Sequence, residues 1–190
     1  IHSVSGTGVV PRKRPLGNTA AVPSEIVIEQ AADLIAASKN PLIIAGAIGQ
    51  RSGVTKILGS LAERFALPVL QVGGPSLLSD HPMNLGFSVG EYLPDADLVL
   101  VLESAVTWIP RNVEPNKEAK LIHLSPDPHY SGLPYRGFEM DLAISGEPLQ
   151  SIELIEKALS AHKGLKSSMI KTRKAKITKA HNEHVTQKKK

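Results

Sequence analysis

Five short, largely apolar runs are spread along this chain and are separated by amphipathic stretches. The runs lie at residues 42–45, 69–72, 98–102, 121–124 and 142–144. Because their apolar residues are continuous and do not alternate with polar ones, they indicate strands buried on both faces, which is typical of a parallel sheet covered by helices. The pattern therefore predicts a doubly wound α/β fold, with a mainly parallel sheet and helices on both faces.

Three stretches show the spacing of a helix with one apolar face. The first begins after Ser24, a suitable N-cap, and ends before Asn40. The second runs from 53 to 66 between the first two apolar runs, so that it completes a βαβ unit, and the third covers 148–162. Together these elements predict one domain over residues 23–162, a length sufficient for a single core.

The first 22 residues show neither pattern. They combine several glycines and prolines with the basic cluster Arg12-Lys13-Arg14, a composition typical of an extended linker. Since the chain starts at Ile1 and not at methionine, we expect a piece of a longer polypeptide, with residues 1–22 arriving from an upstream part.

Residues 163–190 form a strongly basic tail. They hold ten lysines and arginines and one acid, Glu183, so the net charge of +4 divides into +9 for the tail and −5 for residues 1–162. Their apolar residues are too sparse to bury a face, which predicts a basic helix or linker toward a missing C-terminal domain, dispensable for folding. The tail has no aromatic residue to stack on a base, so we expect no nucleic-acid partner.

The overall composition narrows the class of protein. With 42% hydrophobic and 21% charged residues, it is that of a soluble globular domain. No apolar run reaches the ~20 residues of a membrane span, so we expect a cytoplasmic protein with no membrane partner. The absence of cysteine excludes disulfides, thiolate metal sites and a cysteine nucleophile.

Ligands of open α/β sheets bind where the strands end and the winding direction reverses. The segment 46–49, Gly-Ala-Ile-Gly, follows the first run, and its glycines either bring the backbone close to a pyrophosphate or only turn the chain. The full G-x-G-x-x-G spacing is absent and the second run ends at Gln71-Val72 without an acid, so ordinary NAD recognition is not expected. Arg111, beyond the third run, offers either a forked contact to phosphate or a surface salt bridge.

The segment 86–90, Gly-Phe-Ser-Val-Gly, matches the G-x-S-x-G elbow of serine hydrolases. The elbow needs a buried strand running straight into the serine and a helix straight out of it. Polar residues precede this segment and Pro94 follows it closely. A hydrolase using Ser88 is therefore a remote alternative.

Four histidines and one tryptophan are candidates for binding a ligand. His123 and His129 flank a predicted strand end, and His181 and His184 are three residues apart in the tail. Neither pair has a convincing third ligand, so no metal site is expected. Trp108, the single tryptophan, is expected to pack in the protein and not to stack on a ligand.

Taken in order, several segments resemble the central domain of thiamine diphosphate-dependent enzymes such as acetolactate synthase, benzoylformate decarboxylase and oxalyl-CoA decarboxylase. The matching segments are 40–46 (Asn-Pro-Leu-Ile-Ile-Ala-Gly), 61–65 with Pro68-Val69, Asp80-His81-Pro82 with Gly86, 96–100, 121–124 with Asp127, and 141–144 with Gly146. They cover about residues 23–160, and their common order makes the set more specific than any one of them. The resemblance implies a Rossmann-like nucleotide-binding fold.

In that family the central domain binds FAD in acetolactate synthases and ADP in oxalyl-CoA decarboxylase, and it binds neither in many members. The resemblance places a nucleotide site around six residues: Gly46, Gly74, Gly86, Arg111, Asp127 and Gly146. The loop at Gly73-Gly74 is shorter than the family's usual pattern, so the resemblance favours ADP over FAD. Glu147 stands where the family usually has an acid after the last glycine.

The family's catalytic groups lie in flanking domains. An upstream domain carries the glutamate that activates thiamine diphosphate, and a downstream domain carries the Gly-Asp-Gly motif that holds Mg²⁺ and the diphosphate, a motif absent from residues 1–190. The resemblance implies a non-catalytic central domain of an acetolactate synthase-like decarboxylase or carboligase. The full-length parent would be an enzyme that uses thiamine diphosphate and Mg²⁺ as a homodimer or homotetramer. A free-standing nucleotide-binding module is the alternative.

Overall fold

The computed structural model describes residues 21–133 and 138–188, with the backbone alone at 183–188. The strands are β1 (Pro41–Ala45), β2 (Val69–Gln71), β3 (Leu98–Leu102), β4 (Lys120–Ser125) and β5 (Leu142–Ser145). The helices are α1 (Glu25–Ala37), α2 (Val54–Phe65), α3 (Val89–Tyr92), α4 (Pro148–Ala161) and α5 (Ser167–Lys188), with 3₁₀ turns at Ala47–Gln50 and Leu93–Asp95. Within these ranges no helix combines the length and apolar character needed to cross a membrane.

The five strands form one parallel sheet in the order β2-β1-β3-β4-β5. In the centre of the sheet, Ile43 of β1 lies opposite Val69 of β2 on one side and Leu100 of β3 on the other. The parallel sheet predicted from the continuous apolar runs is confirmed. The chain adds β2 on one side of β1 and later β3 on the other, so the winding direction reverses between β1 and β3.

A short strand-like segment, residues 83–86, lies beside β2 and extends the sheet. The N–H of Val69 donates to the carbonyl of Met83, and the N–H of Gln71 donates to the carbonyl of Gly86, both at 2.8 Å. This pairing places Gly86 level with the last residue of β2. The C-terminal ends of the parallel strands all lie on one side of the sheet, which we call the carboxyl edge. We call the opposite side, at which the strands begin, the amino edge.

The core is built from the central strands and one layer of helices. β1 and β3 are buried along their whole length, and α4 contacts both α1 and α2. Ile35, Leu58 and Ile155 of these three helices are fully buried in the same cluster, and each contributes about 1.5–3 kcal/mol through its burial. The right-handed rule for parallel crossovers places α3 and the connections after β3 and β4 on the opposite face.

Helix α5 packs on the domain, so the expectation that the basic tail joins no core is wrong. Arg173, Ile177 and His181 recur every four residues along α5 and are 5%, 7% and 8% exposed. The Nη2 of Arg173 donates to the carbonyl of Ile35 at 3.0 Å and to that of Ser38, at the end of α1. The expectation counted apolar residues alone, whereas two of these three buried side chains are polar and hydrogen-bond to backbone carbonyls.

Candidate functional site

The loops that follow β1, β2 and β3 pack directly on one another at the carboxyl edge. A Cβ atom at Gly46 would lie 2.4 Å from the carbonyl oxygen of Glu103, and one at Gly73 would lie 2.4 Å from the carbonyl carbon of Gly46. The N–H groups of Gly46 and Ala47 donate to the carbonyls of Leu102 and Glu103, both at 2.8 Å. Glycine is needed at 46 and 73 because backbone lies against backbone there. The space beside Gly46 is thus taken by the protein itself.

A forked ionic contact lies next to these loops. Arg51, just before α2, donates from Nε to Oε2 of Glu103 at 2.6 Å and from Nη2 to Oε1 at 2.5 Å. Its Nη1 lies 3.4 Å from Oε1 of Glu147, which follows β5. The hydrogen bonds that Arg51 donates to Glu103, together with the charges of both carboxylates, outweigh burial and hold the pKa of Arg51 above its usual value. One guanidinium therefore joins the loops after β1, β3 and β5.

Glu103 has a strained backbone. Its φ of 49° lies in the left-handed region, which costs a residue other than glycine about 1–2 kcal/mol. Its side chain is only 10% exposed, so the strained conformation directs a nearly buried carboxylate at Arg51. Such strain persists where the surrounding structure enforces it, often at functional sites.

Neither Arg51 nor Glu103 is among the site residues expected from the sequence. Glu103 directly follows the apolar run at 98–102, and Arg51 lies two residues before Gly53, where the second helix was expected. The rule that singles out strand-end loops applies equally to both positions. Arg111, and not Arg51, was expected to be the cation of the site.

Gly74 and Gly86, two of the predicted site residues, have left-handed backbones, with φ of 132° and 78°. A Cβ at Gly74 would meet no other heavy atom within 4 Å, so conformation and not space makes glycine favourable there. The N–H of Gly86 donates to Oδ1 of Asn84 at 2.8 Å. The contact of these glycines with a nucleotide stays a prediction.

Gly146 and Asp127 lie beyond the ends of β5 and β4. A Cβ at Gly146 would meet Cδ of Pro23 at 2.7 Å, and the neighbouring Glu147 N–H donates to the carbonyl of Ala21 at 3.0 Å. The chain just before α1 thus crosses the carboxyl edge at Gly146.

Asp127 accepts hydrogen bonds from the N–H and the Oγ of Ser131, both at 2.7 Å, and the bond from the hydroxyl is the main cause of the lowered pKa of Asp127. Residues 1–20 of the predicted linker lie outside the described residues.

Arg111 is exposed in the long connection between β3 and β4. Its neighbour Pro110 lines a pocket with Lys120 and Asp141, which lie where β4 and β5 begin. This part of the connection therefore reaches the amino edge, away from Gly46. The structure therefore does not bring Arg111 together with Gly46 and Asp127 as expected, and a contact of Arg111 with a nucleotide stays a prediction.

Trp108 packs as expected. It is 7% exposed, and its ring meets that of Phe138 edge to face, with centroids 5.0 Å apart and an interplanar angle of 89°. Aromatic pairs favour this geometry. Trp108 therefore fixes the β3–β4 connection on the domain.

Ser88 lacks the backbone of a nucleophile elbow. Its φ and ψ are −85° and 87°, and the helix that follows, α3, has four residues. The elbow requires a strained turn that leads into a helix. The structure gives no support to the hydrolase alternative.

Two of the four candidate histidines are buried within the fold. His123 is buried in β4, and the Nδ1 of His181 donates to the carbonyl of Asn84 at 2.7 Å. His129 is exposed, and the side chain of His184 lies outside the described residues. Over the described part of the chain, no group of three histidine or carboxylate side chains is placed to hold a metal ion.

Comparison with known proteins identifies a family. Residues 28–155 match the family described as thiamine pyrophosphate enzyme, central domain. A stretch of 88 residues is 36% identical to a protein assigned as the 2-ketoarginine decarboxylase AruI of Pseudomonas aeruginosa. This stretch covers 43% of the chain and 15% of that relative.

Solved structures show the same fold. One is assigned as a thiamin diphosphate-dependent enzyme from Mycobacterium smegmatis, with a TM-score of 0.65, 20% identity and coverage of 83% of this chain. Another is the benzoylformate decarboxylase of Polynucleobacter necessarius, with a TM-score of 0.62, 20% identity and coverage of 82%. The chain spans 32% and 30% of their lengths.

Proposed function

Because this chain belongs to the family of thiamine pyrophosphate enzyme central domains, we propose that it is the non-catalytic central domain of an acetolactate synthase-like 2-oxo acid decarboxylase or carboligase. The observation that carries this proposal is that side chains and backbone of the domain itself occupy the carboxyl edge, where such a sheet would bind a ligand. There the backbone of Glu103 lies against Gly46, and its carboxylate engages Arg51. The domain's role is to hold the flanking parts of the parent enzyme in place.

The described residues do not fit a thiamine diphosphate site. A diphosphate and its Mg²⁺ need oxygen ligands for the metal and free donors for the phosphates. The described residues hold no metal-ligating group of three, and the donors of Arg51 point at two carboxylates. In the proposed parent, the cofactor and Mg²⁺ belong to flanking domains, and the assembly is a homodimer or homotetramer. In this proposal, no residue of this chain takes part in the reaction.

An adenine nucleotide at the carboxyl edge is a second candidate function. Arg51 is 35% exposed and lies at the point where the winding direction reverses, which supports a site for an anion. A diphosphate there would have to compete with Glu103 and Glu147 for the guanidinium. ADP fits this candidate better than FAD, because the loop at Gly73 lies against Gly46 and leaves less room beside it.

Calorimetric titration of ADP and FAD into the chain distinguishes the two functions. If the domain is purely structural, neither ligand gives saturable heat with the natural chain or with the Glu147→Gln variant. A nucleotide site gives saturable ADP binding, which tightens in Glu147→Gln because a competing charge is removed. Glu153→Gln, at an exposed position of α4, is the matched control. Saturable ADP binding that tightens only in Glu147→Gln, or a yellow protein that retains FAD, would overturn the purely structural role.

A further inference from the structure

Strand β5 forms an open edge of the sheet. The N–H of Gly146 donates to the carbonyl of Ser125, at the end of β4, at 3.1 Å. Because the backbone groups of alternate residues in a strand point to the same side, Ile144 also faces β4, whereas Ala143 and Ser145 turn their N–H and C=O groups outward. Ile144 is fully buried and Ser145 is exposed. Among the described residues, these outward backbone groups have no hydrogen-bond partner.

The chain before α1 already makes one hydrogen bond to this edge. The N–H of Glu147, two residues beyond Ser145, donates to the carbonyl of Ala21 at 3.0 Å. Pro23 lies directly against Gly146, where an added Cβ would be 2.7 Å from its ring. The residues before Ala21 therefore start beside the open edge, at the carboxyl end of β5.

We propose that residues 17–20, which lie outside the described residues, dock on this edge as an additional strand parallel to β5. The direction follows from the bond between Glu147 and Ala21, because the chain after Ala21 enters α1 and only the chain before it can continue along β5. The docked strand covers backbone groups that are otherwise open to pairing with another chain. The proposal goes beyond the function of the domain, since it fixes the upstream chain to the sheet whether or not the domain is catalytic.

The sequence of the segment fits this pairing. In parallel register, Asn18 lies opposite Ala143, and the backbones of Gly17 and Thr19 face β5. Gly17 and Thr19 each have an N–H group to donate. The nearest upstream proline, Pro15, lies opposite the residues before β5, so its missing N–H costs no hydrogen bond.

The charges at the start of β5 support the same path. Continued past Pro15, the chain brings the cluster Arg12-Lys13-Arg14 to the amino edge beside β5. The pocket there is lined by four acids and two lysines, namely Glu114, Glu118, Glu139, Asp141, Lys117 and Lys120. Lys120 is paired with Asp141 at 2.8 Å, which leaves three glutamates against one lysine. This excess of negative charge is complementary to the three cations of the cluster.

Disulfide cross-linking of the 190-residue chain tests the proposal, because the chain has no natural cysteine. Asn18→Cys combined with Ala143→Cys places two thiols on facing residues of neighbouring strands, a separation that a disulfide can bridge. Thr19→Cys combined with Ala143→Cys is the matched control, because the side chain at 19 points to the opposite face. Docking raises the effective concentration of the first pair only, so it should oxidise at least about tenfold faster than the control. Equal rates for the two pairs would refute the proposal.

Amide exchange measured on the natural chain is an independent test. The amides of Ala143 and Ser145 should exchange at least about tenfold more slowly than those of an unstructured chain. Thr19→Pro removes an N–H that faces β5 and should release both amides, while Asn18→Pro, whose N–H points away, should leave them protected. Unslowed exchange of both amides in the natural chain would overturn the proposal. Protection that rises with protein concentration and survives Thr19→Pro would also overturn it, because a second copy would then occupy the edge.

Discussion

The guanidinium of Arg51 and the carboxylate of Glu103 face each other as a fork, with Nε 2.6 Å from Oε2, at the point where the winding of the sheet reverses. In open α/β sheets this is the usual position of a bound ligand. In this domain an internal ion pair between Arg51 and Glu103 lies at that position. The pair joins two loops whose residues are 52 positions apart in the chain. The pair therefore stabilises the carboxyl edge from within.

Replacing Arg51 by methionine should destabilise the domain, because Glu103 is left nearly buried without its partner. We expect a loss of about 1–3 kcal/mol in the free energy of unfolding, below the range for fully buried pairs because Arg51 is partly exposed. This corresponds to a fall in Tm of roughly 2–10 °C for a chain of this size. Lys56→Met, on the exposed face of α2, is the control. Equal Tm values for the two variants would contradict a structural role for the pair.

Gly46→Ala should be poorly tolerated. The new Cβ would lie 2.4 Å from the carbonyl oxygen of Glu103, a backbone atom that cannot move without the end of β3. We expect a loss of at least about 2 kcal/mol, as for other overpacked positions. Gly90→Ala, where a Cβ meets nothing within 4 Å, should leave stability unchanged or slightly raise it. Denaturant unfolding of the two variants measures the difference, and similar stability would refute close packing at Gly46.

Arg173→Met should loosen helix α5. The variant keeps the length of the side chain but leaves the carbonyls of Ile35 and Ser38, at the negative end of the α1 dipole, without their donor. Each lost partner costs about 1–3 kcal/mol. We expect a lower Tm and faster amide exchange in α5, with Lys171→Met as the exposed control on the same helix. An unchanged rate of amide exchange in α5 of Arg173→Met would indicate that the tail is dispensable for folding.

Asp97 should make stability depend on acid pH. Burial raises the pKa of Asp97, but hydrogen bonds from the Ser38 hydroxyl and the N–H groups of Lys39 and Asn40 outweigh it, so the pKa is lowered. A lowered folded-state pKa stabilises the protein above the unfolded value of about 3.9, and this contribution is lost as pH falls through the folded-state pKa.

The variant Asp97→Asn should therefore be less stable than the natural chain at pH 7, by about 1 kcal/mol after allowance for solvent screening. The gap should close as pH falls below about 4. Urea unfolding at several pH values measures it, and Asp80→Asn, at an exposed position, controls for the loss of one charge. A gap that stays constant with pH would contradict the role of the Asp97 charge.

The sheet could be predicted from the sequence because its signal is local. The central strands β1 and β3 are continuous apolar runs, and such runs indicate burial on two faces whatever lies elsewhere in the chain. Gly46 could be singled out as the glycine after a strand. That it faces the backbone of Glu103 could not be, because this contact depends on the order of strands in space.

The role of Arg173 was not predictable for a related reason. A surface arginine and one that joins two helix ends look the same in sequence, since the difference lies in carbonyls contributed by residues up to 138 positions away. The position of Arg51 in a strand-end loop could have singled it out, but its pairing with Glu103 and Glu147 depends on the order of strands in space. Apolar periodicity detects faces that are buried because they are apolar. It does not detect the face of α5, where a long apolar stem carries a polar group to its partners.

This chain belongs to the family of thiamine pyrophosphate enzyme central domains, and we propose that it carries none of the parent enzyme's chemistry. The most direct test is to measure CO₂ release from a panel of 2-oxo acids by the purified 190-residue chain with thiamine diphosphate and Mg²⁺, alongside calorimetric titration of thiamine diphosphate. We expect release equal to that of the protein-free control and no saturable heat. CO₂ release that increases with protein concentration and survives repurification, together with saturable cofactor binding, would contradict it.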